Sequence, residues 1–320
     1  MVNVNYTVIN VDSFIITGFD QLQNQKFLGF LILLAYMLIL FGNSLNLSII
    51  LTARHLHKPM YILICNLAIA DIMYTSCSSP TLISVLLAEI KTVSYYSCLS
   101  RMFFYHLGDI TECMALTLMA IDRFIAIRFP LRYHSIVTNL RVILLILLTW
   151  IAGFSLMGFA ISMLDSLPYC TTMISAYCDS ASLILASCVD PEPFFFMGAI
   201  INLWQICGQF SFIFCTYAVL AYTVAKLTNN SNKKQMINTC VSHVIVLLSY
   251  FAPKLVSVLL TRIGVVLTLT ERNALQIVAA MTSPLINPAV YSIRTKEIRK
   301  RLVDVFLFKK VAPIHLKTSL

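Results

Sequence analysis

Long apolar runs alternate with short polar joints along this chain. The runs lie near 27–52, 60–87, 99–127, 142–164, 194–227, 236–261 and 274–293, and each reaches the roughly 20 residues that a helix needs to cross a bilayer. The pattern predicts an all-α membrane protein, a bundle of seven spanning helices. The joints orient it. Basic residues gather at Arg54 and Lys58, from Arg123 to Arg141, from Lys226 to Lys234 and after Arg294; loops rich in lysine and arginine stay in the cytoplasm, so the amino terminus is expected outside. The chain then divides into an extracellular tail (1–26), a seven-span domain (27–293) and a cytoplasmic tail (294–320) that opens with a short amphipathic helix. One joint is long. Asp165 to Glu192 carries Pro168, Cys170, Cys178 and Cys188; loops of that length in compact folds are usually functional or disordered, and two disulfide bridges would make this one an ordered lid.

Composition agrees with a membrane protein and narrows what else the chain can be. Of 320 residues, 59% are hydrophobic and 12% charged, against about 45–50% and about 25% in a soluble domain. The net charge of +9 needs no nucleic acid, because cytoplasmic joints account for it and the tail residues Arg294, Lys296, Arg299, Lys300 and Arg301 suit anionic inner-leaflet lipid. The first residues lack a basic-then-apolar leader, so the first helix is expected to act as the insertion signal. Asn5-Tyr6-Thr7 on the exterior tail is a glycosylation sequon and is expected to be used. Of ten cysteines, Cys98, Cys170, Cys178 and Cys188 fall on the outer side. Four cysteines allow three pairings, and the residues alone do not choose among them. The other six are read as small packing residues.

Polar residues interrupt the spans where hydrocarbon would exclude them: Gly42-Asn43; Asn66, Asp71 and Pro80; His106, Asp109 and Glu112; His243, Pro253 and Lys254; Asn287-Pro288. Such residues face a bundle interior and mark function. At about 100° per residue, Tyr105, Asp109, Glu112 and Arg123 share one stripe of the third helix, with His106 off it. Asp71 and Glu112 both fall near mid-membrane, where two carboxylates need a cation or a shared proton between them. Lys254 and Arg262 lie two turns apart on nearly one face. Together they suit an anion clamp; the alternative is that Arg262 snorkels to the surface while Lys254 pairs with Asp109 or Glu271. No nucleophile triad, metal-ligand cluster or phosphate-binding loop stands in a soluble segment, so no enzyme is expected. An ion-coupled transporter is the alternative from another class, yet it would show internal repeats and broken helices at matching places, and neither is visible.

Five strings then carry a resemblance. Asn287-Pro288-Ala289-Val290-Tyr291 closes the seventh span; Asp122-Arg123 ends the third within the string Met119 to Ile136; Leu56-His57-Lys58-Pro59-Met60-Tyr61 forms the first inner joint; Thr239-Cys240-Val241-Ser242-His243 opens the sixth span; Tyr291-Ser292-Ile293-Arg294 leads into the tail. With the cysteine-rich loop they cover nearly the whole chain, which resembles an olfactory receptor of the rhodopsin-like G-protein-coupled class. Phe124, Arg128 and Phe129, with Tyr250-Phe251-Ala252-Pro253 and His134-Ser135-Ile136-Val137, are more similar to fish members. The resemblance implies disulfides Cys98–Cys178 and Cys170–Cys188, and no cofactor beyond a structural sodium ion at Asp71 and Glu112. It also implies a plasma-membrane location in olfactory cilia. The ligand is expected to be a small water-soluble odorant, anionic if the clamp holds. It would sit in the outer cleft among Tyr105, His106, Asp109, Asn202, Gln205, Tyr250, Phe251, Lys254, Arg262 and Gln276. The partner is expected to be a heterotrimeric G protein of stimulatory type. Asp122, Arg123, Tyr217, His243, Asn287, Pro288 and Tyr291 would form the switch, with Arg123 reaching Tyr217 and His243 because adjacent helix residues do not face each other. A retinal pigment is set aside because 274–293 holds no lysine, and an amine receptor because Tyr105 stands where that group has aspartate. A receptor for a non-odorant metabolite is the nearest competitor.

Overall fold

The computed structural model describes residues 8–17, 19–20, 22–174, 178–226, 230–263, 265 and 267–306. Asn5 lies outside the described residues. Helices dominate in the order α1 (Gln25–Thr52), α2 (Pro59–Leu87), α3 (Tyr95–Arg128), a short α4 (Tyr133–Ile136) and α5 (Asn139–Asp165). There follow α6 (Ser180–Ala186) inside the long loop and α7 (Glu192–Leu203), which runs through a π-bulge at Trp204–Gly208 into α8 (Gln209–Ala225). Then come α9 (Asn230–Arg262), α10 (Leu269–Arg294) and the tail helix α11 (Lys296–Phe306).

Among the described residues, four helices are long and apolar enough to cross a membrane: α1, α2, α5 and the Cys240–Leu260 part of α9. Their outward faces say the same. Phe27, Phe30, Leu34, Met37 and Phe41 on α1 are 49–65% exposed, and Leu144, Leu148 and Ile151 on α5 are 55–63% exposed. An apolar surface of that extent in water would drive aggregation, so these faces belong against lipid. The α3 helix differs. It carries Arg101, Asp109, Glu112, Asp122, Arg123 and Arg128, and Glu112 and Asp122 are buried against its neighbours.

Small and amide side chains close the bundle. A Cβ on Gly108 would come within 2.9 Å of the Tyr74 backbone, so α2 and α3 meet where only glycine fits, as small residues commonly permit in membranes. On the other side α1 is fastened to α10. Pro288 has no N–H, which frees the carbonyl four residues back, on Pro284; Asn43 Nδ2 donates to that oxygen at 3.1 Å. Asn46 repeats the device one turn on, donating to Pro288 O at 3.1 Å while Ser292 donates to Asn46 Oδ1 at 2.7 Å.

The outer end, where the long loop lies, is capped by a three-stranded sheet that the hydrophobic pattern did not predict. Strand β1 (Ser13–Ile16) pairs antiparallel with β2 (Thr92–Ser94) in the register Phe14 to Val93, and parallel with β3 (Met173–Ile174). Phe14 and Ile16 are buried while Ile15 is exposed, the period of two expected of a half-covered strand. The amino-terminal tail is therefore stitched to two outer loops. The long loop is ordered over its described part. Disulfides join Cys98 to Cys178 and Cys170 to Cys188, with Cα atoms 5.3 and 5.2 Å apart, the pairs the resemblance implies. Asp179 caps α6 by accepting from Ser182 N at 2.8 Å, and α6 buries Leu183, Ile184 and Ala186.

Candidate functional site

Two polar clusters sit inside the bundle, one above the other along α3. The outer one centres on Asp109. Lys254 of α9 forms an ion pair with Asp109 Oδ1. Tyr250, one turn earlier on α9, donates to the same oxygen at 3.1 Å, and Gln205 donates to Oδ2 at 2.9 Å and to Tyr250 Oη at 3.0 Å. Gln205 owes its direction to the π-bulge. The extra residue per turn rotates the side chains of Trp204–Gly208 relative to a regular helix, and such bulges recur at functional sites. One carboxylate thus links α3, α9 and the rod of α7 and α8. Below it, Gln209 Oε1 accepts from Thr117 and from Cys113 Sγ, both at 2.9 Å. Gln209 was not among the expected site residues, because a single glutamine in an apolar run carries no motif.

The remaining expected ligand residues divide. Tyr105 stacks on Tyr74, with ring centres 4.7 Å apart and hydroxyls 3.2 Å apart, and lines a narrow cleft with Cys77, Ser78, Thr81, Arg101 and Cys178. His106 packs its ring against Tyr105, and its Nε2 is buried with no hydrogen-bond partner among the described residues. Phe251 is 1% exposed and packs edge-on to Phe210 at 5.4 Å, as a core residue does. Gln276 is half-buried on α10. Asn202 and Arg262 have helical backbone, but their side chains lie outside what the structure describes. Glu271 does not pair with Lys254. It caps α10, accepting from Thr268 N at 2.8 Å while Thr268 Oγ1 accepts from Glu271 N at 3.3 Å, a capping box. These bonds hold its carboxyl below the ordinary glutamate range.

The middle cluster is differently made. Asp71 Oδ2 accepts from Asn287 Nδ2 at 3.0 Å, and Ser283 reaches Asn287 Oδ1 at 3.4 Å. Asp71 Oδ1 and both oxygens of Glu112 are buried without a hydrogen-bond partner among the described residues, with Ser283 and Asn287 the polar neighbours of Glu112. Buried polar atoms are almost always satisfied. Three unsatisfied carboxylate oxygens facing hydroxyl and amide groups are a hard-oxygen set that fits a small cation such as sodium, or a proton held between them.

At the inner end one expectation needs correction. Arg123 does pair with its neighbour: Nε lies 3.7 Å from Asp122 Oδ2. Tyr133 of α4 donates to Asp122 Oδ1 at 2.7 Å, leaving Oδ2 to the long arginine side chain. Burial, with the bond to Asp122, raises the Tyr133 hydroxyl pKa above its ordinary value. Tyr217 and His243 bond to each other through Nδ1, and the Arg123 charge lies close enough to act on both. Tyr291, at the end of the Asn287-Pro288 turn, points its hydroxyl to Met119 Sδ at 3.3 Å.

A family model described as olfactory receptor matches residues 32–309 of the chain. Olfactory receptor 6N1 of Homo sapiens is 32% identical over 293 residues, covering 91% of this chain and 93% of that protein. Olfactory receptor 10D1B of Mus musculus is 30% identical over 309 residues, covering 96% and 98%. Olfactory receptor 10G7 of Homo sapiens is 31% identical over 302 residues, covering 92% and 94%. With the family matched over nearly the full length, the chain belongs to the olfactory receptors, odorant-sensing G-protein-coupled membrane proteins that act as receptors and not as enzymes.

Proposed function

We propose that a small water-soluble odorant binds at the outer end, between α3, the π-bulge, α9 and α10 beneath the 165–192 loop, and binds better when α9 has swung away from α3. The observation that carries this reading is the Asp109 network, in which one carboxylate holds the π-bulge and α9 to α3. A molecule that enters there bears directly on the contact it must loosen. A ligand shifts an equilibrium only by its differential affinity for the two states, and this contact is where the difference arises. At the inner end the same helices carry Arg123, Tyr217 and His243, so their separation opens a cleft for a heterotrimeric G protein of the stimulatory type. Leu131, fully exposed on the joint after α3, and Tyr133 would meet that partner.

In this reading the bundle crosses the plasma membrane of olfactory cilia seven times with the amino terminus outside. Asn5 is glycosylated, and α11 rests on inner-leaflet lipid. Asp71 and Glu112, with Ser283 and Asn287, hold a sodium ion that offsets one of the two carboxylate charges. An anionic odorant would have to draw Lys254 away from Asp109, with Arg262 as a second cation. The test is a cAMP assay in cells with and without the stimulatory G protein, over amino acids, small carboxylates and amines. The expected result is a response that needs that G protein and is lost in Arg123→Ala at equal surface expression. A response that survives either loss overturns the reading.

A further inference from the structure

Among the described residues of the outer cluster one cation, Lys254, meets one anion, Asp109, and each already has its partner. Asp109 accepts from Lys254, Tyr250 and Gln205, while Lys254 Nζ also lies 3.5 Å from the centre of the Tyr250 ring, a favourable place for an ammonium. The pair is nevertheless reachable. Lys254 and Asp109 are 14% and 18% exposed, whereas Tyr250 and Phe251 beside them are each 1% exposed.

A singly charged ligand must compete with the partner in place. An anion that draws Lys254 away strands Asp109 among the helices, and a cation that draws Asp109 away strands Lys254. Leaving a buried charge unpaired is costly whichever its sign. A molecule carrying both charges avoids that cost, because its ammonium replaces Lys254 at Asp109 while its carboxylate replaces Asp109 at Lys254. An uncharged molecule has nothing with which to open the pair. On the reading that the outer cleft is the ligand site, we propose that the Asp109–Lys254 pair determines specificity and that the cleft takes a small zwitterion with an ammonium and a carboxylate a few bonds apart. Asp109 is then an internal stand-in for the ligand carboxylate, and Lys254 for its ammonium. Binding exchanges one ion pair for two, with no bond made or broken and no proton moved.

Three probes of three carbons each separate the cases: propionate, n-propylamine and β-alanine, each at about 10 mM, read by the unfolding midpoint of the purified receptor, which a bound ligand raises. For the unmodified receptor we expect a rise of about 2 °C with β-alanine and none with the other two. Asp109→Asn should move the response to propionate, and Lys254→Gln should move it to n-propylamine. The double variant Asp109→Lys with Lys254→Asp keeps an ion pair should the single variants fail to fold, and should keep the β-alanine response. Equal stabilisation of the unmodified receptor by propionate or n-propylamine overturns the proposal. So does silence toward all three probes, or a single variant whose preference does not change. The midpoint needs no G protein, so a receptor that binds β-alanine without evoking cAMP counts against the signalling reading alone; one that signals to other ligands and ignores β-alanine counts against this proposal alone.

Discussion

The outer and middle clusters place carboxylates on the same helix, one turn apart, and satisfy them in opposite ways. Asp109 has a lysine, a tyrosine and a glutamine; Glu112 has no hydrogen-bond partner among the described residues, and neither does Asp71 Oδ1. Ionised groups inside a membrane protein persist when they are paired or wetted. The outer cluster brings its own counter-charge from α9, so its neutrality depends on α9 staying where it is. No described cation forms an ion pair with the middle cluster, so on the sodium reading its charge balance depends on what occupies it. One cluster is therefore sensitive to helix position and the other to solution composition.

The largest expected effect comes from breaking the outer pair on one side. Lys254→Met should lower stability by about 3–5 kcal/mol, the usual cost of leaving one partner of a buried pair uncompensated. Adding Asp109→Leu should recover most of that loss, since apolar replacement of both partners is often neutral. Thermal unfolding in detergent measures both. If the single variant matches the unmodified receptor, water already shields Asp109 and the outer cluster is no more self-contained than the middle one.

Next in size is the response of the middle cluster to sodium. Replacing sodium by choline at constant ionic strength should cost the receptor about 1–3 kcal/mol, the linkage expected when an ion is present well above its dissociation constant. Asp71→Asn and Glu112→Gln should each abolish the difference, while Lys254→Met should leave it in place. A receptor indifferent to sodium would mean that the carboxylates share a proton instead, and the contrast between the clusters would then rest on protonation rather than on a bound ion.

Much of this was legible in the sequence, for identifiable reasons. Long apolar runs place the long helices within a few residues because burial of a 20-residue helix tolerates little else, and Asp71, Asp109 and Glu112 announced themselves by being costly where they stand. What stayed hidden depends on register between distant elements. The choice of Asp109 over Glu271 as the partner of Lys254 follows from how α9 sits against α3, and Glu271 is taken by a local cap. Gln205 reaches Asp109 through a π-bulge that no residue in WQICG proclaims. The sheet was missed because its strands are four, three and two residues long and come from the amino-terminal tail and two separate loops. The contact of Arg123 with Asp122 stays hidden because adjacent helix positions do not face each other; at 3.7 Å it forms through the length of the arginine side chain.

The smallest expected effect tests whether the middle cluster is held in place by the proline turn beneath it. Pro288 leaves the Pro284 carbonyl without its helical donor, and Asn43 supplies one from α1; Asn43 also donates to its own helix at Ile39 O, at 3.1 Å. Asn43→Ala should therefore cost about 1–2 kcal/mol, the lower part of the range for an orphaned buried carbonyl. The consequence should be local to α10. Asn287, one residue before Pro288, is what ties α10 to Asp71, so loosening the turn should weaken the sodium response while leaving the Asp109–Lys254 pair, and any ligand-induced midpoint shift that depends on it, as in the unmodified receptor. A loss of both responses in Asn43→Ala would mean that the two clusters are one cooperative unit along α3, whose single turn of separation between Asp109 and Glu112 is too short to insulate them.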